Sequence, residues 1–131
     1  MILIYILTKN RDEAVEISKS LIEKELTHSV NILPEIFSFR RQGNDIIEYS
    51  ETITLVKTKA ILYRDIEEHV GKIQKTESPM IFSLPITQIN RDLFKLIQEN
   101  TGQVELILKQ AIMLIKVYHE NPNRKEVNMF V

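Results

Sequence analysis

Two strand–helix–strand patterns follow one another in this sequence and are joined by a turn-forming segment at residues 42–45. The first pattern begins with Ile2–Leu7, an apolar run that is too short for a good helix and predicts a strand buried on both faces. Residues Arg11–Leu26 have the periodicity of an amphipathic helix. A second strand is predicted over His28–Phe39, which completes the first pattern.

Local signals set the limits of these elements. Asn10 and Glu13 are three residues apart, as in the capping box that begins a helix. Leu33-Pro34 interrupts the second strand, and because proline has no backbone N–H for the sheet we expect a bulge or a sheet-edge position there. The composition of residues 42–45 (Gln-Gly-Asn-Asp) predicts a hairpin turn.

The second pattern repeats the order of the first. Threonine alternates with aliphatic residues over Thr52–Thr58, as expected of a half-buried strand. A second helix is predicted over Leu62–Ile73 and a fourth strand over Met80–Ile86, after which Asn90 is placed to cap a third helix. The predicted order is therefore βαββαβ followed by a helix.

This order predicts an α+β fold, the split βαβ sandwich of the ferredoxin-like type. Both long helices would cover one face of a four-stranded antiparallel sheet and leave the opposite face without a helix. An uncovered sheet face that carries many aliphatic side chains favours oligomerisation.

The C-terminal segment Gln103–Tyr118 is unusually apolar, with 11 apolar residues among its 16. A helix of this composition is expected to be buried, either on the uncovered sheet face or against a neighbouring subunit. A surface for another protein or a membrane interface is the alternative, although three charges and 16 residues argue against a membrane span. We therefore expect a fold domain over 1–100, an apolar helical extension over 101–118 and a flexible tail over 119–131.

Charge and composition exclude several classes of protein. The 17 basic and 18 acidic residues leave a net charge of −1, which argues against a general nucleic-acid binder. The absence of cysteine excludes disulfides, thiol catalysis and iron–sulfur clusters. The N-terminal apolar run lacks the basic flank and cleavage site of a signal peptide, so we expect a soluble, cytoplasmic protein.

Catalytic motifs are lacking in this sequence. Hydrolase, zinc-protease, P-loop and dinucleotide-binding motifs do not occur, and we predict that the protein is not an enzyme. The three histidines, His28, His69 and His119, are isolated from one another in sequence, although a histidine metal site could still assemble across subunits.

Two sets of charged residues are candidates for binding. Arg40-Arg41 lies beside the predicted turn and could bind an anion, or could be two solvated arginines at a hairpin tip. Glu51 and Lys57 are six residues apart, so on a regular strand they project from the same face. They could form an ion pair or line a cleft between subunits.

The segment Ser29–Pro34 (Ser-Val-Asn-Ile-Leu-Pro) resembles the V-N-I-[LIV]-P signature of the CutA divalent-cation tolerance family. The resemblance covers residues 2–99, and its element order agrees with the order predicted above. Further matches occur in the family's order on both sides of this segment, at Leu7-Thr8, Asp12–Ala14, Ser38, Glu51, Lys57-Thr58, Pro79, Ile81 and Leu84-Pro85.

The resemblance implies a non-enzymatic protein that forms a tight homotrimer, similar in architecture to the PII signalling proteins. It also implies a role in divalent-cation tolerance or small-ligand binding at clefts between subunits. The residues that match the family motif and carry polar groups for such a cleft are Asn31, Ser38, Glu51 and Lys57.

A divalent cation of the copper type is the cofactor that the resemblance suggests. The family's cysteine positions correspond to Asn10 and Ser29, and its His-Pro-Tyr segment corresponds to 74–76, Gln-Lys-Thr. The soft ligands that suit copper are therefore absent from these positions, which makes this chain a divergent member.

The two alternatives from other functional classes are a PII-like regulator and a small enzyme on the same fold. A PII-like regulator would dock on a partner protein through the helix at residues 103–118. An acylphosphatase on the same fold would need its anion-binding loop after the first strand, and Leu7–Asp12 does not contain it. An RNA-binding function would need aromatic side chains on the central strands, where threonine and aliphatic residues occur instead.

Overall fold

The computed structural model describes the backbone of residues 1–120 and the side chains of residues 1–102 and 111–120. The chain divides into a compact unit over Met1–Thr101 and a second unit that begins at Gly102. The predicted tail lies outside the described residues from position 121 onward.

The predicted order of elements is confirmed, including the helix after the fourth strand and the C-terminal helix. A short 3-10 turn at Ala60–Leu62 precedes the second helix. The elements are β1 (Ile2–Thr8), α1 (Arg11–Glu23), β2 (Val30–Gln42), β3 (Asp45–Thr58), α2 (Tyr63–Gln74), β4 (Ile81–Pro85), α3 (Arg91–Glu99) and α4 (Gln103–Glu120).

The four strands form one antiparallel sheet in the order β2-β3-β1-β4. This is the ferredoxin-like arrangement, in which the hairpin β2–β3 joins the first strand–helix–strand half to the second. β2 is an edge strand, and its register with β3 shifts between Leu33 and Ile36, so the predicted bulge and edge position are both confirmed. The Thr52 hydroxyl donates to the Pro34 carbonyl at 2.9 Å, which satisfies an acceptor at the irregular part of the strand.

The hydrophobic core lies between one face of the sheet and the helices α1 and α2. Residues of β1 alternate between fully buried and half-buried, so the prediction that this strand is buried on both faces is wrong within a single chain. The physical reason is that both helices cover the same face. The fully buried residues include Ile4 and Ile6 of β1, Ile17 and Leu21 of α1, Val56 of β3, and Ile66 and Val70 of α2.

Strands β2 and β3 continue beyond the end of β1 as a two-stranded hairpin. β1 pairs only with residues 52–58 of β3, whereas the pairing of β2 with β3 runs on to Gln42 and Asp45. We call the projecting part, residues 36–51, the hairpin arm. Its turn contains Gly43 at φ +64°, a conformation that glycine adopts without strain.

Helices α1 and α2 end in the same way, through a non-glycine residue in the left-handed conformation. Lys75 has φ 56°, and the N–H groups of Lys75 and Thr76 donate to the carbonyls of Lys72 and Gly71 at 3.4 and 3.0 Å. This is the Schellman pattern, which usually has glycine at the left-handed position. Glu25 occupies the matching position after α1, so that helix ends at Glu23 and not at the predicted Leu26.

We expect Lys75→Gly to raise the free energy of unfolding by about 1 kcal/mol, because glycine removes the steric cost of the left-handed backbone. Glu25→Gly should behave in the same way, since Glu25 has φ 57°. Lys19→Gly, at an exposed position inside α1, is the control and should lower the free energy of unfolding by about 1 kcal/mol. Chemical denaturation measures all three, and destabilisation by Lys75→Gly would contradict the helix-end geometry.

Candidate functional site

The four predicted site residues all lie on the sheet face that points away from α1 and α2, which we call the open face. Alternation along β3 places Glu51 and Lys57 on this face, and the strand pairing places Asn31 and Ser38 there as well. The prediction that Glu51 and Lys57 share a face agrees with this arrangement. They do not pair with each other, because each has a different partner on β2.

Lys57 and Asn31 form the first polar pair of the open face. The Lys57 ammonium donates to the Asn31 side-chain oxygen at 3.0 Å, across the two neighbouring strands. Lys57 also lies opposite Leu3 in the pairing of β3 with β1, so the pair has an apolar neighbour on the central strand. An ammonium held in this way keeps unused donors that could bind a carboxylate or phosphate group.

Arg40 and Glu51 form the second polar pair, on the hairpin arm. One guanidinium nitrogen of Arg40 donates to both Glu51 oxygens at 2.5 and 2.6 Å, and the guanidinium carbon lies 4.4 Å from the centre of the Tyr49 ring. Ser38 lies opposite Tyr49 in the strand register. The interpretation of Arg40 as a solvated arginine is wrong, because Glu51 and Tyr49 hold it; Arg41 is exposed as expected.

The two polar pairs do not form one site within a single chain. Glu51 and Lys57 are six residues apart on β3, which corresponds to about 20 Å along an extended strand. The apolar residues Ile53 and Leu55 lie between them on the same face. The four candidate residues could act together only if other protein surfaces enclose them.

The sequence did not predict the contact of Arg40 with Glu51, and it did not indicate Tyr49 as a site residue. Arg40 is nine residues after Asn31, and an uninterrupted alternation would put them on opposite faces. The register shift between Leu33 and Ile36 changes this, since β2 accommodates an extra residue there relative to β3. The signal in the sequence was Pro34, which predicted the bulge but not how far it shifts the register.

The donor set for a metal ion is poor in the part of the chain whose side chains are described. No group of three or more His, Asp or Glu side chains among these residues could hold a metal ion. Both Glu51 oxygens are engaged by Arg40, and the other charged candidate, Lys57, is itself a cation. These residues do not fit a resident divalent cation in one chain.

One hydroxyl–imidazole contact resembles a catalytic pair but lacks the remaining parts. The Ser20 hydroxyl and His69 Nε2 are 2.5 Å apart and join α1 to α2. Burial, with added repulsion from Lys24 and Lys72, lowers the pKa of His69, so the ring is neutral at pH 7. Among residues 1–102 no carboxylate orients the ring, and we interpret the contact as structural.

Tyr63, at the start of α2, is a second group with a shifted pKa. Burial and a hydrogen bond with Glu67 raise the pKa of Tyr63, which keeps the phenol protonated.

An open groove of about 260 Å³ lies away from the open face, beside the start of α1. Its lining residues are Lys9, Asn10, Asp12, Glu13, Glu16 and Ile73.

The predicted C-terminal helix is present as α4, Gln103–Glu120, and it includes two residues that were assigned to the tail. Across the described residues, no helix combines the length and the hydropathy that crossing a membrane requires. Of its large apolar side chains, Ile112, Met113 and Ile115 are each more than 60% exposed.

Comparison with known proteins connects this fold to one family. The family model described as CutA1 divalent ion tolerance protein matches residues 2–100. The divalent-cation tolerance protein CutA of Thermus thermophilus is 32% identical over 99 residues, which is 76% of this chain and 96% of that protein. The chloroplastic protein CutA of Arabidopsis thaliana is 29% identical over 86 residues. This match covers 66% of this chain and 47% of the length of the plant protein.

A solved structure leads to the same conclusion. The divalent cation tolerance protein Cut A1 from Thermus thermophilus superimposes with a TM-score of 0.71 and 32% identity. The superposition covers 78% of this chain and 100% of that structure. The region outside the family match contains α4, so the extension is additional to the shared fold. The chain therefore belongs to the CutA1 divalent ion tolerance family.

Proposed function

We propose that this protein is a non-enzymatic, homotrimeric member of the CutA family that works in divalent-cation tolerance or response. The observation that carries the proposal is the apolar open face of the sheet. Leu33, Phe82 and Leu84 lie on this face and are 47%, 48% and 53% exposed in the single chain. Burying such a face against other copies of the chain removes apolar surface from water.

The hairpin arm supports the same assembly. Its outward side chains Phe37, Phe39 and Ile46 are 68%, 67% and 73% exposed, although large apolar residues on a two-stranded ribbon need cover. Arg40, Tyr49 and Glu51 interact on the other side of the arm, where they hold its two strands together. In the proposed trimer, the arm of one subunit covers part of its neighbour.

We infer that the clefts between subunits bind a small ligand or ion through Asn31, Ser38, Glu51 and Lys57. Assembly would enclose the polar pairs, which lie too far apart to act together in one chain. The spare donors of Lys57 and the Ser38 hydroxyl suit an anionic or polar group better than a copper ion. The role in cation tolerance would then depend on this ligand or on assembly, not on a metal held by one subunit.

We propose the cytoplasm as the location of this protein. The name of the Arabidopsis relative assigns that protein to the chloroplast. Fractionation of cells that produce the full chain tests the location, and recovery outside the cytoplasmic fraction would contradict it.

Native mass spectrometry of the purified protein tests the assembly and the ligand together. We expect three copies of the 15.4 kDa chain in one complex, because the open face and the arm need cover. Mass above that of the bare trimer identifies the class of ligand. Lys57→Met should abolish ligand binding, and with it the additional mass, while leaving the trimer intact. A stable monomer at micromolar concentration would contradict the proposed assembly.

The same measurement with added Cu²⁺ or Zn²⁺ tests the donor-set argument. We expect equimolar metal to leave the mass of the complex unchanged, because the described residues do not fit a resident divalent cation. A variant with His28, His69 and His119 all replaced by alanine is the control. Metal that is retained by the natural chain and lost in this variant would show that the histidines form a site across subunits.

A further inference from the structure

Helix α4 carries apolar side chains that are exposed in the single chain. Ile112, Met113, Ile115 and Tyr118 are 63%, 65%, 67% and 51% exposed. Half-buried residues occupy other positions of the same helix, so apolar side chains occur on more than one side of it. Apolar side chains distributed in this way are expected to be covered in the assembled protein.

Two of the exposed residues belong to a regular stripe in the sequence, which we call the α4 stripe. It consists of Leu108, Ile112, Ile115 and His119, spaced four, three and four residues apart. This is the spacing of the a and d positions of a coiled coil. Isoleucine at two consecutive core positions, Ile112 and Ile115, favours three or four strands over two.

The charges on α4 favour a second copy of the chain over other occupants. Glu105 and Glu120 balance Lys109 and Lys116, so the helix has no net charge with histidine neutral. A helix that lies on an anionic membrane is typically rich in lysine and arginine on its polar face. A helix without net charge that carries the largely apolar α4 stripe is instead suited to packing against copies of itself.

We propose that the α4 helices of the subunits associate with one another through the α4 stripe, as a helical bundle that adds to the trimer. This inference rests on the proposed homotrimer. An isolated 18-residue helix is only marginally stable in water, and attachment to an assembled core supplies the high local concentration that a short bundle needs. The bundle explains why the chain has an apolar helix outside the family match at residues 2–100.

Single-cysteine cross-linking tests the proposal, since the natural chain contains no cysteine. Ile115→Cys places a thiol in the α4 stripe. Met113→Cys is the matched control, because Met113 is equally exposed but points to the other side of the helix, about 160° away at 3.6 residues per turn. Each full-length variant is oxidised under mild conditions at several protein concentrations, and native mass spectrometry records its oligomeric state.

We expect Ile115→Cys to form disulfide-linked dimers at least about tenfold faster than Met113→Cys, at a rate independent of protein concentration. A trimer in which both variants cross-link equally, or neither does, would overturn the α4 bundle and leave the homotrimer standing. In that case, a partner protein or a membrane surface would be the occupant of the stripe. A monomeric natural chain would overturn the homotrimer itself, and with it this proposal.

Discussion

Leu84→Glu is expected to convert the proposed trimer into monomers at micromolar concentration while leaving the chain folded. Leu84 is 53% exposed on β4, so glutamate is tolerated in the single chain. In the proposed trimer the carboxylate would be buried in a largely apolar interface, at a cost of about 3 kcal/mol. A cost of that size weakens association by a factor of roughly 150. Analytical ultracentrifugation measures the oligomeric state, and circular dichroism confirms the fold.

Ile61→Glu is the matched control for this prediction. Ile61 is 58% exposed, close to the value for Leu84, but it lies in the 3-10 turn before α2 and not on the open face. We expect this variant to remain trimeric. If both variants dissociate, added negative charge is responsible, and the result would contradict the proposal that the open face forms the subunit interface.

Ile6→Ala is expected to lower the free energy of unfolding by about 2–5 kcal/mol, because it leaves a cavity in a fully buried site. Ile6 is on the central strand β1, is 0% exposed and belongs to the core with α1 and α2. For a domain of this size, the melting temperature should fall by about 10–20 °C. Calorimetry at a fixed protein concentration measures the change, since assembly makes the melting temperature depend on concentration.

A substitution at the residue opposite Ile6 should change the free energy of unfolding in the opposite direction. Thr54 pairs with Ile6 in the register of β1 and β3, is 0% exposed, and its hydroxyl has no hydrogen-bond partner among the described residues. Thr54→Val should therefore raise the free energy of unfolding by about 1 kcal/mol. Destabilisation by this variant would show that the hydroxyl has a partner, such as a buried water molecule.

Much of the fold could be predicted because its signals are local. The change from strand to helix periodicity located four strands and two long helices, and Asn90 caps α3 through hydrogen bonds to Asp92 and Leu93, as its position suggested. The helix ends were harder. Glu25 adopts the left-handed conformation that normally requires glycine, so composition gave no sign that α1 ends at Glu23, whereas the predicted end of α2 at Ile73 is one residue from Gln74.

The candidate site was less predictable, because it depends on register and on assembly. The common face of Glu51 and Lys57 follows from counting residues, but their separate partners do not. Arg40 reaches Glu51 only because the bulge changes which side chains of β2 face the open side. The enclosure of these pairs requires other subunits, and no local pattern in one chain specifies their position.

The prolines of the two edge strands affect the tendency of the sheet to aggregate by pairing with further strands. Sheets whose edges present uninterrupted rows of N–H and C=O groups recruit further strands and can grow into fibres. In β2, Pro34 has no N–H and its carbonyl already accepts a bond from Thr52, and β4 ends at Pro85. Pairing of a foreign strand would therefore be interrupted at Pro34 on β2, and β4 offers only five residues. These interruptions favour the proposed closed assembly over open-ended polymers.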